Sequence, residues 1–325
     1  MKQQPRVCIA GMGAIGCTLA SKLVGKPLTV SVVARGKTLH ALQNVGLVSD
    51  VGGVVNKHYI QADIKAPGSE QDIIFLAGKS YQLPDLLDTV KHAIGPTTKL
   101  IPVVNGLPWW LLDKTNTNRT AVKQIASLLD PEKKLSSLPL KNIIGCVAYA
   151  FSRIKSPASV VVAHSPRFVL GHVEKTESGL RDIISVLNMA DEVFQESLDI
   201  KKEVWNKLAL NAATNFLSVL CETTLEGLSG NGGIQPLLKR SLLEVQALGQ
   251  DCGIAGLLSV EDLLLIIAKG GNHPTSMLQD YLDNRPLEFA ALGDAVVALA
   301  QHHGLILPTT EALLRLTRDK ASKRY

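Results

Sequence analysis

At 325 residues the chain is longer than one hydrophobic core ordinarily serves, so two domains are expected. Hydrophobic residues make up 46% and charged residues 19%, which excludes a disordered, highly charged chain; only the final stretch RDKASKRY is expected to fray. The net charge of +5 comes from scattered basic residues, and aromatics at 4% leave few platforms for stacking bases, so the expected partner is a small anionic ligand and not nucleic acid.

The five cysteines (Cys8, Cys17, Cys146, Cys221 and Cys252) show no CxxC or metal-ligand spacing, and their odd number argues against a closed disulfide framework. They read as reduced residues, mostly of the core, with no metal site. The N-terminus enters a strand almost at once without a charged-then-apolar leader, and no apolar run is long enough to span a bilayer. The expectation is a cytoplasmic protein with no membrane partner.

The first stretch with a chemical meaning is RVCIAGMGAIGCTLASKL, Arg6 to Leu23. Val7, Cys8, Ile9 and Ala10 read as a strand buried on both faces, and the residues after Gly13 read as a helix. In the motif formed by Gly11, Met12, Gly13, Ala14, Ile15 and Gly16, Gly11 permits a tight turn and Gly13 lets a phosphate approach the backbone. Gly16 allows close packing of helix on strand. This is a dinucleotide fingerprint, with the helix N-terminus facing the anion.

LTVSVVAR (Leu28 to Arg35) reads as the second strand. A site for NAD usually carries an acid at its end, and this chain carries Arg35, so the expected cofactor is NADP(H), with the guanidinium on the 2′-phosphate. A solvated loop cation is the alternative. DIIFLAGK and KLIPVVNG read as later strands that bring Lys79 and Asn105 to the carboxyl edge of the sheet, near the cofactor. Either residue could instead serve a cap, and Asn105-Gly106 could be a simple turn.

From Ile143 to about Gly171 the runs IIGCVAYAF, SVVVAHS and RFVLG are β-rich and closely spaced, as an antiparallel extension of the sheet would be. A helix near Gly179 to Met189 and a strand near Val193 to Leu198 follow. Beyond about Ile200 long helical patterns take over, several ending at glycine. The fold class is therefore α/β: an N-terminal Rossmann-type doubly wound sheet with an antiparallel extension, then an all-helical C-terminal domain. The division expected is 1–200 for nucleotide binding and 201–325 for substrate and catalysis.

On the first of these helices Glu203, Lys207, Asn211 and Asn215 recur every four residues and share one stripe. The stripe could be a solvated face or the lining of a cleft. Spacing alone does not choose between them.

In order along the chain, GMGAIG, ARGKTLHALQNVGL, GKSYQ, VNG, EVWNKLALNAATN, TSMLQDYLDNRPLEFAAL and HHGLILP resemble the motifs of the ketopantoate reductase (2-dehydropantoate 2-reductase) family. The resemblance implies NADPH-dependent reduction of a 2-keto acid, most simply 2-dehydropantoate to pantoate in pantothenate biosynthesis. Carried over residue by residue, it implies Lys207 as general acid and Lys79 and Asn105 beside cofactor and substrate. Asn211 and Asn215 would bind substrate hydroxyls, Ser276 the carboxylate, and Glu288 a substrate hydroxyl at the catalytic centre. Each role suits a ketone reduction, where negative charge develops on oxygen and an ammonium both stabilises it and supplies the proton. Without the resemblance, Ser276 reads as a helix cap and Glu288 as a surface carboxylate.

Two departures from the family pattern bear on substrate size: the indoles of Trp109 and Trp110 after Asn105-Gly106, and His273 where the family commonly has asparagine. The alternatives are a reductase for a bulkier 2-keto acid or a non-catalytic NADPH sensor. A homodimer is left open, since apolar helix faces serve a core or a second copy equally well.

Overall fold

The computed structural model describes residues 4–114, 118–174, 179–189 and 192–324. From the N-terminus the chain forms β1 (Arg6–Ala10), α1 (Ala14–Leu23), β2 (Thr29–Val33), α2 (Gly36–Asn44), β3 (Leu47–Val51), β4 (Val54–His58), β5 (Gln61–Asp63), β6 (Gln71–Leu76), α3 (Leu83–Val90) and β7 (Ile94–Pro102). Strands β5, β2, β1, β6 and β7 hydrogen-bond in that order in one parallel sheet. The strand order reverses at β1: the chain moves first to β2 on one side and later to β6 on the other. Val7, Cys8 and Ile9 of β1 and Ile74, Phe75 and Leu76 of β6 are fully buried. That is why both strands read as continuous apolar runs and not as alternation.

The chain continues through α4 (Arg119–Leu129), β8 (Ile144–Tyr149), β9 (Ser152–Ser156), β10 (Ser159–Val162), β11 (Arg167–His172), α5 (Leu180–Leu187) and β12 (Phe194–Glu196). The antiparallel extension is not one continuous sheet. β3 and β4 form a hairpin turning on Gly52 and Gly53, with φ of 58° and 88°, and β3 then pairs in parallel with β10 to give the order β4-β3-β10-β9. A third sheet, β12-β11-β8, meets β7 through an isolated bridge between Leu100 and Ile143. These short strands do not lengthen the parallel sheet, yet their buried side chains, among them Leu47, Ile144, Val160, Phe168 and Phe194, join one core with Val7, Ile9 and Phe75 of the parallel sheet and Cys17 and Leu19 of α1.

Helices α6 (Ile200–Cys221), α7 (Leu225–Gly230), α8 (Gln235–Asp251), α9 (Val260–Lys269), α10 (Ser276–Leu282), α11 (Ala295–His302) and α12 (Pro308–Ser322) complete the chain, with a π-helical turn at Ala290–Asp294. As far as Arg324 the end of the chain is held in place and not frayed. The Arg318 Nη2 donates to both carboxylate oxygens of Asp294 (2.7 and 2.8 Å), Lys320 donates to the carbonyls of Val219 and Leu220 (2.9 and 3.0 Å), and the Arg324 guanidinium lies 3.9 Å from the Tyr281 ring centre. The basic residues that suggest a loose tail are the ones that tie it down. Tyr325, the last residue of that stretch, lies outside the described residues.

The chain divides into two compact units: Met1–Val104 with Lys134–Ile200, and Asn105–Lys133 with Lys201–Tyr325. Residues 105–133, placed by the sequence reading in the first domain, fold with the helices. There α4 packs on α11 and on the π-helical turn, burying Ala121 and Ile125. The apolar side of α4 finds its cover among helices, so a sequence break at residue 200 misses this excursion.

Candidate functional site

In the first unit the nucleotide candidates converge. β1 ends at Ala10, and Gly11 turns the chain with φ of 96° while its N–H donates to the Val33 carbonyl at 3.1 Å. A Cβ on Gly11 would lie 2.7 Å from the Ala77 carbonyl oxygen, and one on Gly16 would collide with the Gly11 carbonyl oxygen. Gly13 is different: a Cβ there meets nothing within 4 Å. Two glycines are thus required by packing, and the third leaves room at the exposed N-cap of α1.

That helix end has the chemistry of a candidate anion site. Gly13 provides no side-chain cap and the first turn of α1 has no acid, so neither the cap nor the first turn offsets the positive end of the helix dipole. Met12 is buried beneath the turn, while Ala14 and Ile15 are partly exposed at the start of the helix. Arg35 is exposed at the N-cap of α2, just past β2, and that helix also starts without an acid. Lys79 follows β6, where its backbone N–H is capped by the Gln82 carboxamide oxygen at 3.0 Å. Ala10 sits opposite Val33 on one side and Leu76 on the other, so the glycine turn, Arg35 and Lys79 lie at the carboxyl ends of three adjacent parallel strands. Ligands of open α/β sheets bind at this edge, where the strand order reverses.

Asn105 does not join them by fold. The first segment of the sheet unit ends at Val104, and Asn105 opens the segment that folds with the helices. Gly106 has φ of 88°, and a Cβ on it would lie 2.6 to 2.7 Å from the backbone carbonyl and Cβ of Ala291. The next residue, Leu107, donates its N–H to the Ala291 carbonyl at 2.8 Å. Ala291 belongs to the π-helical turn that begins two residues after Glu288, so the Asn105 loop is docked directly beside the Glu288 segment.

Glu288 is 4% exposed, which removes the surface-carboxylate reading. The turn leading to it is braced by an ion pair between Arg285 and Asp280 at 3.1 Å. Ser276 is not the cap of α10 either: Thr275 is, accepting the Leu278 N–H at 3.2 Å and bonding Ser218 at 2.5 Å. Ser276 therefore keeps its hydroxyl at the first helical position without a capping duty.

Lys207, Asn211 and Asn215 share one stripe of α6, as their spacing requires. The Oδ1 of Asn215 accepts the Met277 N–H at 3.4 Å, which brings the stripe against the first turn of α10 beside Ser276. The Nδ2 atoms of Asn211 and Asn215 are shielded from solvent and find no acceptor among the described residues. A buried donor left so costs about 1–3 kcal/mol, and two in register on one face are suited to oxygen acceptors of a ligand. Trp109, 7% exposed, carries a third such donor at Nε1.

Sequence reasoning counts Trp205 as apolar surface of this helix and gives no reading to Asn206, the residue just before Lys207. Trp205 is fully buried and donates from Nε1 to the Val245 carbonyl at 2.9 Å, and Asn206, 4% exposed, accepts from the Leu258 N–H at 3.0 Å. A buried asparagine inside an apolar run was the available signal. Among the described residues no cluster of His, Cys, Asp and Glu could hold a metal, and no helix is long and apolar enough to cross a membrane.

A doubly wound parallel sheet with a glycine turn where its strand order reverses, in a chain that also carries a helical unit, is the architecture of the dinucleotide-binding folds. The family described as Ketopantoate reductase PanE/ApbA matches residues 7–175, and its C-terminal counterpart matches residues 199–321. The chain belongs to the ketopantoate reductase family. It is 31% identical to a 2-dehydropantoate 2-reductase of Mesorhizobium japonicum, with 98% of each chain covered. A proposed ketopantoate reductase from Ralstonia solanacearum superimposes with a TM-score of 0.88 at 28% identity over 99% of both chains. D-mandelate dehydrogenase, solved with NADH and anilino(oxo)acetate, shares the fold with a TM-score of 0.83 at 17% identity, covering 98% of this chain and 99% of that one.

Proposed function

We propose that this protein is an NADPH-dependent 2-keto acid reductase whose substrate is 2-dehydropantoate. The observation that carries the reading is the α6 stripe, where two shielded carboxamide donors stand in register with a lysine. The full-length similarity to a named 2-dehydropantoate 2-reductase supports the choice of substrate.

The α1 N-terminus and the open space at Gly13 fit a pyrophosphate, Arg35 would take the 2′-phosphate, and Lys79 and Asn105 would lie by the cofactor. When bound, NADPH supplies the hydride. Lys207 offsets the negative charge that develops on the substrate carbonyl oxygen and donates the proton that completes the alcohol. Asn211 and Asn215 donate to substrate oxygens, Ser276 donates to the carboxylate, and Glu288 accepts from a substrate hydroxyl. These contacts orient the ketone for attack on one face.

The test is loss of NADPH absorbance with a panel of 2-dehydropantoate, pyruvate and phenyl-substituted 2-keto acids, run on the parent protein and on Lys207→Ala. Turnover of 2-dehydropantoate that collapses in Lys207→Ala while NADPH affinity holds is the expected result. Tight NADPH binding with no turnover on any member would instead support a sensor. A second reading, a 2-keto acid with a bulkier side chain, is favoured by Trp109 and Trp110 and by the likeness in fold to D-mandelate dehydrogenase. Higher kcat/KM for the phenyl-substituted acids would select it.

A further inference from the structure

The two residues that precede Lys207 are fastened to the rest of the helical unit in a way that the reaction itself does not require. Trp205 donates to the Val245 carbonyl of α8 at 2.9 Å, and its indole lies so close to Gly249 that any side chain there would collide with it. The Asn206 Oδ1 accepts two donors: the Leu258 N–H at 3.0 Å and the Gln246 Nε2 at 3.4 Å. Gln246 in turn donates to the Leu258 carbonyl at 3.1 Å. One carboxamide from α6, one from α8 and both backbone groups of Leu258 thus form a small hydrogen-bonded cluster in which Asn206 is 4% and Gln246 5% exposed.

Successive helical residues are about 100° apart, so Trp205 points away from the Lys207 face and Asn206 lies on its flank. Held at the back by Trp205 and at one side by Asn206, this turn of α6 would have to break those hydrogen bonds to rotate about its axis. Rotation is the movement that matters: a side-chain tip about 5–6 Å from the axis moves by about 2 Å for a 20° turn. Misplacement of a reacting group by about 1 Å can cost about 100-fold in rate. Stability alone does not call for these polar groups, because a buried hydrogen-bonded cluster gains little over well-packed apolar side chains of the same shape. What it adds is direction, since hydrogen bonds hold a register that apolar contacts leave free to slip.

We propose that Asn206 is a positioning residue that, through its bonds to Leu258 and Gln246, sets the rotational register of α6 and thereby aims the Lys207 ammonium. The inference rests on the reading of Lys207 as general acid. Asn206→Leu removes the accepting oxygen at similar volume, whereas Asn206→Asp retains it for the same two donors. The expected result is a fall in kcat of about tenfold or more in Asn206→Leu. NADPH affinity should be unchanged and the limb of the kcat pH profile set by the general acid displaced, while Asn206→Asp stays within about threefold of the parent. Gln246→Leu, which removes one of the two donors, should lower kcat in the same direction by less, and keeps the test available if Asn206→Leu does not fold.

A folded Asn206→Leu with parental kcat and pH profile would overturn the proposal. So would equal losses in Asn206→Leu and Asn206→Asp, or, if Asn206→Leu does not fold, a folded Gln246→Leu with parental kcat. Lys207→Ala, assayed alongside, separates the two ideas: parental turnover there defeats the reading of Lys207, whereas a dead Lys207→Ala beside an indifferent Asn206→Leu defeats only the positioning role.

Discussion

The backbone N–H of Leu107 donates to the carbonyl of Ala291 at 2.8 Å, joining a loop that leaves the parallel sheet to the π-helical turn behind Glu288. An ordinary α-helical turn commits each carbonyl to its own helix; the wider π turn changes that pattern, and here the Ala291 carbonyl receives an N–H from a segment distant in sequence. Asn105, two residues before Leu107, and Glu288, three before Ala291, are held in one local framework by this bond.

Gly106 is the weak point of that framework. Gly106→Ala imposes a side chain at φ of 88° and sets its Cβ against the Ala291 backbone. The strain costs about 1–3 kcal/mol, and the loop must lift off the turn. A lowered unfolding midpoint is expected, together with a loss of about tenfold or more in kcat/KM for the keto acid. Parental kinetics in a folded Gly106→Ala would show that this docking does not govern Asn105.

The proposed function gives cofactor choice to Arg35. A charge-assisted contact to a 2′-phosphate is worth about 1.5–3 kcal/mol, so Arg35→Asp should raise the NADPH KM by roughly 10- to 100-fold and leave that for NADH little changed. Equal losses for both nucleotides remove the residue from this role.

Helix α12 has no cap of its own; Glu244 of α8 supplies one. Its two oxygens accept the N–H groups of Thr309 and Thr310 and the Thr310 hydroxyl, each at 2.8 Å. Glu244→Ala leaves these donors unmet and should destabilise the protein by about 1.5–3 kcal/mol, with Glu244→Gln costing less. Thermal unfolding of the two variants decides it, and an unchanged midpoint in Glu244→Ala would mean that solvent satisfies the helix end.

Thiol chemistry should single out one cysteine. Burial pushes the Cys8 thiol up to about 11 and those of Cys17 and Cys252 to about 12, Cys146 is buried, and Cys221 is exposed. A maleimide at about pH 8 should therefore modify Cys221 alone in the folded protein and all five in denaturant. Mass spectrometry of the intact chain reads the difference, and labelling of Cys17 in the native state would contradict the burial of α1.

His58 should make stability fall with acid. Burial beside Ser49, whose hydroxyl lies 3.0 Å from its Nε2, holds its pKa below the ordinary 6.5. The unfolded chain then binds more protons than the folded one just below that value. Stability present above pH 6.5 is lost as pH falls from there through the folded value. In His58→Gln the unfolding midpoint should depend less steeply on pH between about 7 and 5. An identical slope in both proteins would assign the acid sensitivity elsewhere.

The glycine turn and the α6 stripe were legible because each follows from spacing along one element: strand to helix at Gly11 to Gly16, and every fourth residue from Lys207 to Asn215. The hairpin at Gly52-Gly53 had its signal in the paired glycines between alternating runs, but β3 chooses β10 as a partner through packing that no local pattern encodes. The anchoring of the C-terminal basic residues was hidden for the same reason. Arg318 and Lys320 look like solvated charges until Asp294 and the carbonyls at the end of α6 are brought to them. Asn206 reads as one more polar residue in a helix, and its meaning lies in Leu258 and Gln246, both distant in sequence.

The return of residues 105–133 to the helices has a consequence for how this molecule can be taken apart. Neither half is a contiguous stretch of polypeptide, so no single cut liberates one. A fragment spanning 201–325 lacks α4 and would bare the apolar side of α11 to water, inviting aggregation. Swapping helical units between relatives of this protein requires moving two gene segments together, and a graft of the C-terminal segment alone delivers a helical half without one of its walls.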